Sequence, residues 1–137
     1  MAEGLFRHAT RELPEIEVSS AGVGAAAGQP PSAHAVSVLN RKGIDIHAIR
    51  SRPLSEGIVN RASYIFAMTR GHLDLILTFF PEAANRTFLV GEFFPPGRGI
   101  DVPDPIGQGL ETYARCCESI ESALPRMLDF IQKKTNP

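Results

Sequence analysis

The chain has 137 residues, of which 43% are hydrophobic and 21% are charged, and its formal net charge at pH 7 is −1. This balance gives no electrostatic case for binding nucleic acid or an anionic membrane, and no apolar run approaches the roughly 20 residues that span a bilayer. We therefore expect one domain over residues 1–137, with neither nucleic acid nor membrane as a partner.

The N-terminal residues predict a helix followed by a short strand. Residues 1–12 have helical periodicity and end before Pro14, although no N-cap residue precedes them. One face of this helix would carry Leu5, Phe6 and Ala9, and the polar face would carry Glu3, Arg7 and Arg11. Residues 16–20 predict a strand, and Ala21-Gly22 would turn out of it.

Gly22, Gly24 and Gly28 lie in the next connection. Their spacing differs from the dinucleotide-binding fingerprint, and no Lys-Ser/Thr pair follows, so a flexible connection is favoured over a phosphate loop. A helix then begins near Ser32 and ends at Gly43. The basic patch Arg50-Ser51-Arg52 precedes a second, short helix that starts near Ser55.

The remaining elements alternate between strand and helix. Apolar runs predict buried strands at 64–68 and 87–90, separated by a helix over 71–80, and a long helix over 109–131 contains Pro125. A helical interior proline should kink the helix and cost about 3 kcal/mol unless compensated. The alternation predicts an α/β protein, a three-layer α/β/α sandwich with a small, mainly parallel sheet. Segments 19–22, 68–70 and 91–104 would then meet at one edge of that sheet.

The stretch DVPDPIG, residues 101–107, holds an acid on a rigid loop. Pro103 and Pro105 fix the backbone on both sides of Asp104, and the helix begins just after it. Such a loop suits either an acid presented for chemistry or an ordinary helix entry. Asp101 is the weaker candidate for an acid with a chemical role. It is expected to be either a solvated loop residue or a partner of Arg98.

Taken together, these segments resemble the low-molecular-weight protein tyrosine phosphatase family, bacterial type. The matching segments are MAEGLFR at 1–7, SSAG at 19–22, the GIDI…RSR run at 43–52, YIFAMTRGHLDLI at 64–76, LVGEF at 89–93 and DVPDPIG at 101–107. Their order and spacing carry the resemblance, which covers nearly the whole chain. It implies the family fold of four parallel strands.

The family's catalytic loop, a Cys, five residues, an Arg and then Ser-Pro, would directly precede the MAE-type residues. We therefore expect this domain to be N-terminally incomplete, without the central first strand and without the nucleophile. Cys116 and Cys117 lie in the apolar pattern of the last helix and are expected to fill the core rather than to replace the nucleophile. Because adjacent cysteines have poor disulfide geometry, we also expect a reduced, cytoplasmic protein.

The family mechanism hydrolyses phosphotyrosine in proteins through a phosphocysteine intermediate, without a cofactor or metal. The resemblance implies that Asp104 is the general acid and base. It implies that Ser20 bonds the catalytic loop, although Ser20 could equally satisfy a strand end. Arg50 and Arg52 could bind anions or form a solvated patch. His47 is expected to be a surface loop residue.

Ile106-Gly107 after the Asp-Pro pair is similar to bacterial members, including the protein arginine phosphatases, which have Phe-Gly there. The expected partner is a phosphorylated protein or a small phosphomonoester, and the short chain alone is expected to be inactive. The alternatives are an arginine phosphatase, a non-catalytic chain that binds phosphorylated ligands through Arg50 and Arg52, and, more weakly, an arsenate reductase. The missing strand would leave a slot in the sheet through which the chain could self-associate.

Overall fold

The computed structural model describes residues 1–97 and 99–135 and has an α/β fold. The chain forms two compact units, one of residues Met1–Leu54 and Asp104–Glu118, and one of residues Ser55–Pro103 and Ser119 onwards. The helices are α1 (Ala2–Ala9), α2 (Ala33–Asn40), α3 (Glu56–Arg61), α4 (Arg70–Phe79) and α5 (Leu110–Thr135); the strands are β1 (Ile65–Ala67) and β2 (Thr87–Leu89). Short 3-10 helices cover Pro81–Arg86 and Val90–Phe93.

The two helices of the first unit begin and end largely as their sequences predict. Helix α1 has no side-chain N-cap, and it ends at Ala9, three residues before the predicted end, where the Thr10 hydroxyl bonds the carbonyl of Phe6. Helix α2 begins after Ser32, whose hydroxyl accepts the Ala35 amide at 3.2 Å. Gly43, at φ 76°, ends the helical segment in the left-handed conformation that glycine adopts without steric cost.

The predicted strand at 16–20 is wrong. The segment keeps the alternation of half-buried Ile16 and Val18 with exposed residues, but no described strand pairs with it. Two of its carbonyls accept arginine side chains instead: Arg7 Nε donates to Val18 O at 3.3 Å, and Arg52 Nε donates to Ser20 O at 2.9 Å. Side-chain donors therefore occupy positions where a strand ladder would place backbone amides.

The glycine-rich connection is tied down by the basic patch. The amides of Gly22 and Gly28 donate to the carbonyls of Arg52 and Ser51, and the Ser51 hydroxyl donates to Ala26 O. A phosphate-binding loop needs such amides to point at the ligand. Since two of the glycine amides are already bonded to the protein, the segment is a structural connection rather than a phosphate loop, and these bonds hold it more firmly than the flexible connection that the sequence predicted.

In the second unit, β1, α4 and β2 form a parallel β-α-β arrangement. Strands β1 and β2 pair in parallel, with Phe66 opposite Phe88. Both strands were predicted, but β1 is only partly buried: Ile65 and Phe66 are half-buried, whereas Ala67 is buried. Helix α4 begins after Thr69, whose hydroxyl accepts the amide of His72. The prediction of a small parallel sheet is confirmed.

A cluster of half-buried aromatic rings packs together in this second unit. The rings of Phe88 and Phe130 meet edge to face with centroids 5.0 Å apart, and Phe93 lies 5.5 Å from Phe130. Phe130 belongs to α5, which continues through Pro125; the proline is exposed. None of the helices in the described part of the chain is both long and apolar enough to cross a membrane.

Candidate active site

Asp101 anchors the first half of the DVPDPIG loop to helix α4. Its Oδ1 accepts the backbone N–H of Arg70 at 3.0 Å, and the amide of Val102 donates to Met68 O at 2.8 Å. Asp101 therefore stabilises the N-terminus of α4, where a negative charge is favourable. This is a structural role that the sequence did not predict; Arg98, its predicted partner, lies outside the described residues.

Asp104 lies in the first unit and is exposed on a locally fixed turn. Its Oδ1 accepts the N–H of Ile106 at 3.0 Å, which closes an Asx-turn. Gln108 N donates to Pro105 O, and Gly107 has φ 79°, so the turn continues tightly into α5. One carboxylate oxygen is thus held by a backbone amide. Ile106, beside it, is 72% exposed.

Ser20 takes part in a chain of hydrogen bonds that is centred on the buried carboxylate of Glu3. Its hydroxyl donates to Glu3 Oε1 at 2.7 Å, and Glu3 Oε2 pairs with Arg7 Nη2 at 3.0 Å. Glu3 lies on the same side of the helix as Arg7, as predicted, but it is only 8% exposed, which the sequence did not predict. The burial is tolerated because both carboxylate oxygens are bonded. The i, i+4 spacing of Glu3 and Arg7 is the sequence signal that could have indicated this pair.

Arg50 and Arg52 are held by carbonyl oxygens. Arg50 Nη1 donates to His47 O at 2.6 Å and to Ile49 O at 3.0 Å, while Arg52 Nε donates to Ser20 O. Both arginines line a cavity of about 510 Å³ together with Glu3 and Arg7. The structure therefore brings Ser20 and Arg52 into direct contact and puts Arg50 on the same cavity as Arg52. Asp104 and Ile106 are not among the residues that line it.

His47 is exposed, as predicted, and it pairs with Asp45. Its Nδ1 lies 2.6 Å from Asp45 Oδ1, which also accepts the backbone N–H of His47. These hydrogen bonds from His47 hold the pKa of the Asp45 carboxyl below its usual range. The local pairing orders the loop before Arg50. In residues 1–97 and 99–135 no three His, Cys, Asp or Glu side chains are placed to hold a metal ion.

Cys116 and Cys117 lie inside α5 and form no disulfide. Cys117 is fully buried, which agrees with a core role, whereas Cys116 is half-buried. Burial raises the pKa of the Cys116 thiol; the Met1 α-amino group opposes this shift, and the nearby charge of Asp104 adds to it. A nucleophilic cysteine needs the opposite shift.

We expect slow alkylation of both cysteines in the folded chain. The raised pKa of Cys116 lowers its thiolate fraction at neutral pH, and Cys117 is shielded from reagent. Iodoacetamide at pH 7, followed by mass spectrometry, should label the folded chain well below the rate of a free cysteine peptide, with the rate rising as pH increases. The urea-unfolded chain is the control and should label fully. Rapid modification of folded Cys116 at pH 7 would contradict the assignment.

Three comparisons with known proteins agree on the family that this chain resembles. A family-level comparison matches residues 1–136 to the low molecular weight phosphotyrosine protein phosphatases. A protein-arginine-phosphatase of Geobacillus stearothermophilus is 39% identical over 132 residues, covering 96% of this chain and 86% of the relative. A probable low molecular weight protein-tyrosine-phosphatase EpsP of Ralstonia solanacearum is 36% identical over 131 residues, covering 93% and 86%. The solved YwlE arginine phosphatase of G. stearothermophilus matches with a TM-score of 0.86 at 37% identity, covering 97% of this chain and 84% of that one.

The fold and these matches define an α/β protein of the protein phosphatase class, a group of hydrolases. More narrowly, the chain belongs to the low molecular weight phosphotyrosine protein phosphatase family, as its sequence segments predict. The relatives include both arginine and tyrosine phosphatases.

Proposed function

We propose that residues 1–137 carry the acid/base half of a protein phosphatase site, with Asp104 as the general acid and base. The observation that carries this proposal is the Asx-turn of Asp104, which fixes an exposed carboxylate on a proline-flanked loop. A general acid must be held within hydrogen-bond reach of the leaving group, and a fixed turn provides that. In this role Asp104 protonates the leaving atom and then activates the water that cleaves the phosphocysteine.

The nucleophile in this proposal comes from a Cys-x5-Arg loop joined at the N-terminus. Within the 137 residues, cysteine occurs only at positions 116 and 117, and neither is followed by arginine six residues later. The loop's thiolate attacks phosphorus, while its amides and arginine stabilise the equatorial oxygens. Ser20 is proposed as a support for that loop. Its hydroxyl already donates to Glu3, so it would meet the loop as a hydrogen-bond acceptor.

For the substrate, we propose phosphoarginine as the first candidate. Ile106 is exposed beside Asp104 and is aliphatic, so it offers no aromatic face for stacking on a phenyl ring; because the arginine phosphatases have Phe at this position, Ile106 alone does not separate the two substrates. The 39% identity to a protein-arginine-phosphatase supports phosphoarginine. Phosphotyrosine is the second candidate, supported by the tyrosine phosphatase among the relatives.

The test compares two proteins: residues 1–137 alone, and the same residues preceded by a family first strand and Cys-x5-Arg-Ser-Pro loop, called here the loop-joined protein. We expect no hydrolysis of p-nitrophenyl phosphate by residues 1–137 and clear hydrolysis by the loop-joined protein. Phosphoarginine and phosphotyrosine peptides then rank the substrates. A loop-joined protein with its cysteine replaced by serine is the control. Activity in residues 1–137 alone would overturn the need for the loop.

The remaining properties are proposals of the same kind. We place the protein in the cytoplasm, supported by two cysteines without a disulfide, and we treat residues 1–137 as belonging to one domain. Self-association would use the extended segment 16–20, which pairs with no described strand. Light scattering of residues 1–137 over a concentration series tests this self-association. A mass that stays at that of the monomer at every concentration would contradict it.

A further inference from the structure

The cavity of the first unit lies between helix α1 and the loop that follows Gly43. It holds about 510 Å³, which is within the size range of small-molecule sites. Its charged lining has three arginines, Arg7, Arg50 and Arg52, against two carboxylates. We propose that this cavity binds a small organic phosphate, a phosphate group carried on an apolar body, as a ligand distinct from the substrate. The proposal does not depend on hydrolysis by Asp104, which does not line the cavity.

The two acids of the cavity already have hydrogen-bonding partners within the protein. Glu3 is bonded to Arg7 and to the hydroxyl of Ser20, and Asp45 is bonded to His47. The positive charges of Arg50 and Arg52 have no such acidic partner among the described residues, since their hydrogen bonds go to neutral carbonyls. The local charge presented to a ligand is therefore positive, although the chain as a whole carries −1.

Arg50 and Arg52 are also held in place before any ligand arrives. The hydrogen bonds of Arg50 within the described residues use Nη1, and that of Arg52 uses Nε. A guanidinium group has five N–H donors, so each arginine keeps donors on its remaining nitrogens. Two anchored guanidinium groups, two residues apart, suit an anion with several acceptor oxygens such as phosphate, with less side-chain entropy lost on binding.

The rest of the lining explains why the ligand should carry an apolar body. Ile44, Ala48 and Ile49 contribute aliphatic surface, and Gly4 and Gly43 leave the lining without bulky side chains there. Phosphate alone would fill only a small part of a cavity of this volume. Burying an apolar group against the two isoleucines adds to the affinity from the charged contacts.

The test uses residues 1–137 and phenylphosphonate, which cannot be hydrolysed as a phosphate ester. Methyl NMR should show saturable shifts at Ile44 and Ile49, with millimolar or tighter affinity and at least about fivefold weaker binding of inorganic phosphate. Arg50→Ala and Arg52→Ala should each weaken binding about tenfold, and Arg50→Lys should weaken it too, because lysine lacks the fixed fork of donors. Arg41→Ala is the matched control: Arg41 is exposed, does not line the cavity and should leave binding unchanged.

Several outcomes would overturn the proposal. The first is the absence of saturable shifts at Ile44 and Ile49, and the second is a set of shifts confined to the methyl groups of Ile106. The third is equal weakening of binding by Arg41→Ala and Arg50→Ala, because this would indicate non-specific attraction of the anion to positive charge. If inorganic phosphate binds as tightly as phenylphosphonate, the proposal that the ligand carries an apolar body is wrong. Amide spectra and thermal melts of each variant establish that it is folded. Asp104→Asn should keep the cavity shifts, so failure here is distinguishable from failure of the proposed hydrolysis.

Discussion

Gly91→Ala is expected to destabilise the protein by about 3 kcal/mol or more, an effect at the upper end for overpacking. A Cβ at position 91 would overlap the carbonyl oxygen of Ile100 and lie 2.5 Å from its carbonyl carbon. These are backbone atoms, so the clash cannot be relieved by rotating a side chain. Movement of Ile100 would also displace Asp101, which bonds the first amide of α4.

The matched control for this variant is Gly57→Ala. Gly57 lies in α3, and its added Cβ would meet nothing closer than the Ser55 hydroxyl at 4.0 Å. Because alanine has the higher helix propensity, this change should stabilise the protein by about 0.5 to 1 kcal/mol. Urea denaturation midpoints measure both variants. A Gly91→Ala midpoint equal to that of the unmodified chain would show that the two loop segments are not in close contact.

Local sequence signals predicted the elements whose stability comes from nearby residues. The hydroxyls of Ser32 and Ser55 begin helices as N-caps, and Gly43 ends one. The apolar runs around Phe66 and Phe88 predicted the two paired strands. All of these depend on interactions within a few residues or on the periodicity of side chains, which a sequence displays directly.

The errors occur where distant side chains determine the backbone. Segment 16–20 has strand composition, but guanidinium groups 11 and 32 residues away in sequence bond its carbonyls. The two 3-10 helices after α4 and β2 were not predicted, since turns of this length have little periodicity. No local pattern indicates which long-range donor will reach a carbonyl.

The candidate site was also predicted only where local sequence signals determine its structure. The two prolines around Asp104 are visible in the sequence, and the exposed, fixed carboxylate follows from them and the Asx-turn. The burial of Glu3 was not predicted, because a charged residue on the polar face of a helix carries no local signal of burial. Its partner Ser20 lies 17 residues away, and only the folded chain brings the two together. A buried acid with both oxygens bonded is a tertiary feature.

Asp104→Asn in the loop-joined protein is expected to lower kcat by about 10² to 10⁴, the usual contribution of a general acid or base. Asparagine keeps an oxygen that can accept the Ile106 amide, so the turn should stay intact while the transferable proton is lost. The loss in kcat/KM, which reports transfer of the phosphoryl group to the cysteine, should be larger for a phosphotyrosine peptide than for p-nitrophenyl phosphate, because p-nitrophenolate is the better leaving group and needs less protonation.

Asp101→Asn is the matched control for this loss of acid catalysis. Asp101 bonds the Arg70 amide and has no proposed role in proton transfer, so its variant should change the thermal midpoint more than kcat. The ratio of kcat/KM for the two substrates should stay near that of the unmodified loop-joined protein. If Asp101→Asn loses as much activity as Asp104→Asn, with the same dependence on leaving group, the acid cannot be assigned to Asp104. Equal losses of kcat/KM for both substrates in Asp104→Asn would contradict proton donation to the leaving group, because such an acid matters more when the leaving group is the poorer one.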